Sequence, residues 1–151
     1  MLKMNQKMEK ILKQKGGMNK KTIVAICEDI VSQVKCINDC VLYDENGNLE
    51  QKKINWSIVL KVNKDFTGYE VSHNEILLPN ELFNESLLIF LDEIKFQLLK
   101  KFPNRKFCII LSDSDRAVLR FHTYRPQEGL WLSQDLEKYK APILFDVCWW
   151  E

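Results

Sequence analysis

The sequence predicts an α+β fold: a mostly antiparallel sheet of four to six strands, with two main helices packed on one face. Three observations carry this. Segments 19–34 and 84–101 repeat apolar residues every three or four positions, as helices with one buried face do. The runs around 106–111, 117–124 and 142–150 are short, apolar and bounded by turn formers, as strands are. The resulting order, α-β-β-(β)-α-β-β-α-β, places helices against a sheet whose consecutive strands are joined by short turns.

The first 18 residues, "MLKMNQKMEKILKQKGGM", stand apart. Met4, Met8, Ile11 and Leu12 form a narrow helical stripe ended by Gly16 and Gly17. Five lysines against Glu9 give this stretch a net charge of +4; with 22 basic and 21 acidic residues in all, the remainder holds 17 and 20, a net of −3. A basic amphipathic arm for anionic lipid or nucleic acid is one reading. The preferred one is that "KGG" before Met18 is a translated ribosome-binding sequence. Met18 is then the start, residues 1–17 are a poorly ordered basic extension, and 18–151 form a single α+β domain.

In the body, Asn19 caps a helix whose buried stripe is Ile23, Ile26, Cys27, Ile30, Val31 and Val34. Asn46-Gly47 suits a type I′ hairpin turn between strands at Val41–Tyr43 and Leu49–Val62. In the second of these, Trp56, Ile58, Leu60 and Val62 alternate with their neighbours, the period of a half-buried strand. Tyr69–Val71 adds a short strand. Next comes a helix capped by Asn84, with Leu87, Phe90, Leu91, Ile94 and Leu98 inward, Lys100 and Lys101 in its last turn and Pro103 beyond. "KFCIIL" reads as a central strand and Ala117–Tyr124 as its neighbour; "PQEG" makes a turn, Ser133 caps a short helix, and "PILFDVCWW" closes the sheet. On that last strand Trp149 and Trp150 point to opposite faces, so both are buried only if the sheet is covered on both sides.

Little in the chain points to metal or cofactor chemistry. Cys36 and Cys40, four apart, would share a helix face, but no second close cysteine pair accompanies them, and the only histidines are His73 and His122. No GxGxxG, Walker A, HExxH or GxSxG pattern occurs, and no cofactor is expected. Asp113 and Asp115 in "SDSD" read as turn formers before they read as Mg²⁺ ligands. Five cysteines without an export signal fit reduced thiols in a cytoplasm, and no apolar run is long enough to span a bilayer.

The densest chemistry lies in "RFHTYRPQEGLW". Strand alternation puts Arg120, His122 and Tyr124 on one face, with Arg125 and Glu128 in the turn and Trp131 just past it. Three roles compete for this row. It is a partner-binding surface, since Arg, Tyr and Trp are hot-spot residues; or a set of cross-strand pairs on a solvated sheet face; or an acid–base site built on His122 with Arg120 and Asp113 or Asp115. The acidic residues Glu45, Glu50, Glu70, Glu75, Glu81, Asp135 and Glu137 would suit a basic partner.

The C-terminal stretch also resembles small cytoplasmic immunity proteins of bacterial polymorphic-toxin and contact-inhibition systems. The resemblance is carried by Arg120, Phe121, His122, Arg125, Glu128, Trp131, Leu132, Asp135, Leu136, Tyr139, Pro142 and Ile143. It implies no catalysis, a small acidic domain, and tight binding that blocks a toxin's active site, with a nuclease toxin suited to the acidic body. The expected function is therefore a non-enzymatic cytoplasmic binding protein that engages neither membrane nor nucleic acid, with Arg120, His122, Tyr124, Arg125, Glu128 and Trp131 as the contact residues. The alternative is a small enzyme using a His/Arg site within 116–131.

Overall fold

The computed structural model describes residues 1–50 and 54–149, the last by its backbone only. Its frame is a five-stranded antiparallel sheet formed by β1 (Leu2–Met4), β4 (Ile76–Leu77), β5 (Lys106–Asp113), β6 (Ala117–Thr123) and β7 (Ile143–Trp149), in the order β1-β7-β5-β6-β4. A separate hairpin pairs β2 (Val34–Ile37) with β3 (Cys40–Tyr43). The helices are α1 (Gln6–Leu12), α2 (Lys20–Ser32), α3 (Trp56–Asn63), α4 (Phe66–His73) and α5 (Leu87–Lys101). The predicted α+β class with a mostly antiparallel sheet is the observed one.

"KFCIIL" lies in β5, the central strand, because it is apolar on both faces. Phe107, Ile109 and Leu111 meet α2 and α5 through Ile23, Cys27, Ile30, Phe90, Ile94 and Leu98. The alternate residues Cys108 and Ile110, with Ile143 and Phe145 of β7, are covered by Leu132 and Leu136 from the chain that follows β6. Helices thus cover one face and an irregular segment the other. Lys101 ties the helix layer to the hairpin by donating to the carbonyls of Val31 and Val34 at 2.8 and 2.6 Å. The expectation that Trp149 and Trp150 point to opposite faces falls on a side chain and a residue that lie outside the described residues.

Residues 1–17 are not a disordered extension; they are built into the fold. β1 pairs with β7 (Leu2 opposite Asp146, Met4 opposite Leu144) and supplies the sheet edge. Asn5 is buried: its Nδ2 donates to Ala141 O at 2.8 Å, and its Oδ1 accepts from Met8 N at 3.0 Å and Ile143 N at 3.1 Å. Met8 is fully buried in the main core. The stripe seen in the sequence is real; what the charge count hid is that the stripe has a sheet edge to dock against.

Two predicted strands are helices. Trp56–Asn63 is α3, capped by Asn55, whose Oδ1 accepts from Ile58 N at 3.2 Å. Tyr69–Val71 lies within α4, capped by Asp65. The expected hairpin fails for a physical reason. Gly47 does sit at φ 70° in a turn, but the β3 edge that a returning strand would pair with is occupied. Val41 N, Val41 O and Tyr43 N bond instead to side chains of Glu70 and Asn74. Part of that predicted strand, residues 51–53, lies outside the described residues. Cys36 and Cys40 sit on the two strands of the β2–β3 hairpin rather than on a helix. Two caps also differ. Asn84 accepts from Ser86 N, ahead of a helix that begins at Leu87, and the helix expected after Ser133 is a single 3-10 turn, Leu136–Lys138.

Candidate functional site: a buried polar seam

The row singled out in the sequence is drawn inward. β6 carries it along the sheet, and the turn 125–129 closes with Gly129 N donating to Arg125 O at 2.8 Å; Gly129 takes φ 77°, which glycine adopts without steric cost. That turn folds Arg125 back under α4. Its Nη1 donates to Glu70 Oε1 at 2.7 Å, its Nη2 to the Asp39 carbonyl at 2.8 Å, and its Nε to Asp39 Oδ2 at 3.4 Å. The guanidinium lies over the Phe66 ring at 5.8 Å.

Glu70 is the hub of this network. Its carboxylate is fully buried and accepts four hydrogen bonds: from Val41 N (2.7 Å) on β3, from Thr123 N (2.9 Å) and Thr123 Oγ1 (3.0 Å) on β6, and from Arg125. One helical turn later, Asn74 accepts from Tyr43 N at 2.8 Å and donates to Val41 O at 2.8 Å and Phe121 O at 3.2 Å. Residues four apart on a helix share a face. Here that face acts as a stand-in strand, satisfying the outer edge of the hairpin and the free end of β6 together. Glu128 completes the seam: its Oε1 accepts from Thr67 N at 2.9 Å and Thr67 Oγ1 at 2.6 Å, in the first turn of α4 where the helix dipole favours a carboxylate.

The other members of the row are dispersed. His122 is 0% exposed. Its Nδ1 lies 2.8 Å from the Thr123 carbonyl and Nε2 has no partner among the described residues. Arg120 reaches Ser112 Oγ at 3.4 Å and Glu75 Oε2 at 3.5 Å. Tyr124 is half-buried, with Lys106 Nζ over its ring at 5.4 Å. Trp131 is displayed, at 50% exposure. As a contact surface the row is therefore corrected: His122 and Arg125 are buried, Glu128 is engaged, and Glu70, expected among the surface acids, is interior. The solvated cross-strand reading fails at His122 for the same reason.

The acid–base arrangement is not assembled either. Asp113 is opposite Ala117 at one end of the β5–β6 hairpin, while His122 is opposite Cys108 near the other, about 17 Å along the strand. The Cys108 thiol belongs to the residue directly across from His122, and its surroundings oppose activation. Burial pushes that thiol up to about 12 and holds the His122 imidazole below its usual 6.5. A nucleophilic cysteine needs the opposite pair of shifts. No group of three or more metal-ligating side chains occurs among the described residues.

The lowered His122 pKa has a consequence for stability. As pH falls below about 6.5, the unfolded chain takes up a proton that the buried ring resists, so stability present above that pH is lost toward the lower folded value. Urea midpoints between pH 8 and 5 are expected to fall more steeply for the native chain than for His122→Leu. Equal slopes would show that the ring is protonated as readily when folded.

Sequence signals for the seam existed but were faint. Glu70 and Asn74 are polar residues in a segment without an apolar stripe, and their burial follows from partners at positions 41, 43, 121, 123 and 125, far away in the chain.

Fold and seam together define a class: an antiparallel α+β domain in which a helix, through two polar side chains, joins a satellite hairpin to the main sheet. The chain belongs to the family described as Uncharacterized protein PM0498 family, whose profile matches residues 3–149. The match takes in β1 from Lys3 onward and all of α1, in keeping with an N-terminal segment that is integral to the fold. No curated protein and no solved structure matches the chain.

Proposed function

We propose that this is a non-enzymatic binding protein of the cytoplasm, an immunity protein that neutralises a bacterial toxin by direct contact. The observation that carries the reading is the surface of α3. Ile58, Leu60 and Val62 are 55%, 42% and 72% exposed on one eight-residue helix. Ile58 and Val62, one turn apart, form a continuous apolar stripe. Grouped apolar exposure of this kind marks surfaces that another protein covers. Trp131 adds an exposed residue of the type that anchors interfaces.

Three further features agree with this reading. The buried charged and amide side chains Glu70, Arg125 and Asn74 are engaged in joining structural elements. The cysteines are free, and four of the five are buried, as suits a reducing compartment. No helix among the described residues is long and apolar enough to cross a membrane.

The test is direct. The reading predicts a gene for a secreted toxin beside this one; that toxin, titrated calorimetrically with the purified chain, is expected to bind with roughly nanomolar Kd and lose activity at one equivalent. Ile58→Glu combined with Val62→Glu is expected to weaken binding by roughly a hundredfold, and Trp131→Ala by roughly tenfold. A toxin that stays fully active with excess protein present would end the immunity reading.

A further inference from the structure

The connection between α3 and α4 is strained. Lys64 adopts φ 66° and ψ −46°, and the Asp65 amide bonds back to the Asn63 carbonyl at 2.8 Å. This is a γ-turn of the rare positive-φ kind, which a residue with a Cβ adopts only when its surroundings impose it. The adjoining contact is equally tight: a Cβ on Gly68 would stand 2.7 Å from the Asn63 carbonyl oxygen.

The two helices on either side of this turn are held very differently. α4 is anchored by Asp65, Glu70, Asn74 and Glu128, through bonds to its own first turn, to β3 and to β6. α3 has one buried aliphatic side chain, Val59. Its Trp56 meets Phe66 and Tyr69 edge-on at 5.9 and 6.0 Å. The Trp56 Nε1 is buried without a partner among the described residues, so docking the indole gains no hydrogen bond there.

We infer that α3 is a hinged strap, which undocks as a unit about Lys64 while α4 and the sheet remain folded. The strain narrows the gap between docked and open states, by on the order of five- to a hundredfold in the equilibrium. Opening uncovers the rings of Phe66 and Tyr69, which with Ile37 and Leu42 form the apolar cluster that α3 closes. The inference rests on backbone geometry and packing, and does not depend on the identity of any partner.

Hydrogen exchange on the full chain tests it. Amides in the last turn of α3 are expected to exchange roughly a hundredfold faster than those of β5 and α5. Val59→Ala is expected to speed α3 exchange by roughly another tenfold with β5 unchanged, and Lys64→Gly to slow it several-fold by relieving the turn. If α3 and β5 exchange in step in the native chain and in Val59→Ala, the helix opens only with global unfolding and the strap is overturned. If Lys64→Gly leaves α3 exchange unaltered, the turn stores no strain, and the hinge is overturned as well.

Discussion

Replacing Glu70 by alanine is expected to destabilise the protein by about 3–5 kcal/mol, among the largest effects of any single substitution here. The change removes four hydrogen bonds at once and leaves the buried Arg125 facing unpaired amides of Val41 and Thr123. The larger part of the cost is that weakened pairing, since the buried guanidinium loses its 2.7 Å bond to a fully buried carboxylate and keeps only the longer contacts to the Asp39 and Glu128 carboxylates, at 3.4 and 4.0 Å. Removing Arg125 as well should recover part of the loss. A double-mutant cycle of urea denaturation on Glu70→Ala, Arg125→Ala and the double variant is therefore expected to give a coupling of about 2 kcal/mol or more. Additive losses would mean that the two side chains act independently and that the seam is not one unit. Hairpin and sheet should also part company in Glu70→Ala, with amides of β3 losing protection before those of β5.

The second large effect concerns the N-terminal segment. A chain beginning at Met18 is expected to lose at least about 3–5 kcal/mol, a figure that vacating the Met8 site alone would approach. Loss of β1 also uncovers the β7 edge, and loss of Asn5 frees the Ile143 amide and the Ala141 carbonyl that it satisfies. The comparison needs only the full and truncated chains, their urea midpoints and their light scattering. Aggregation through the bared edge is the expected companion of the lost stability. An unchanged midpoint would restore the view of residues 1–17 as a dispensable arm.

Long apolar periodicities were legible in the sequence. α2, α5 and strands β5 to β7 follow from patterns whose period is fixed by hydrophobic burial, the strongest force favouring the folded state. The N-terminal stripe of Met4, Met8, Ile11 and Leu12 was legible in the same way, although its five lysines argued for an arm in solution. α3 misled because Ile58, Leu60 and Val62 satisfy the period of a strand while lying exposed on a helix. α4 was hidden for the opposite reason: its inward face carries Thr67, Glu70 and Asn74, which no hydrophobic pattern registers.

The sequence by itself determined the α+β class, the central strand, the helices that flank it and the turn that closes at Gly129. Each rests on local propensity or on apolar spacing, and neither needs a distant partner. Only the tertiary structure decided the fate of the row from Arg120 to Trp131. Whether a charged side chain is displayed or buried depends on whether something can satisfy it, because an unpaired buried charge costs more than folding can spare. Glu70, 55 residues from Arg125, supplies that satisfaction and turns a surface row into an internal joint.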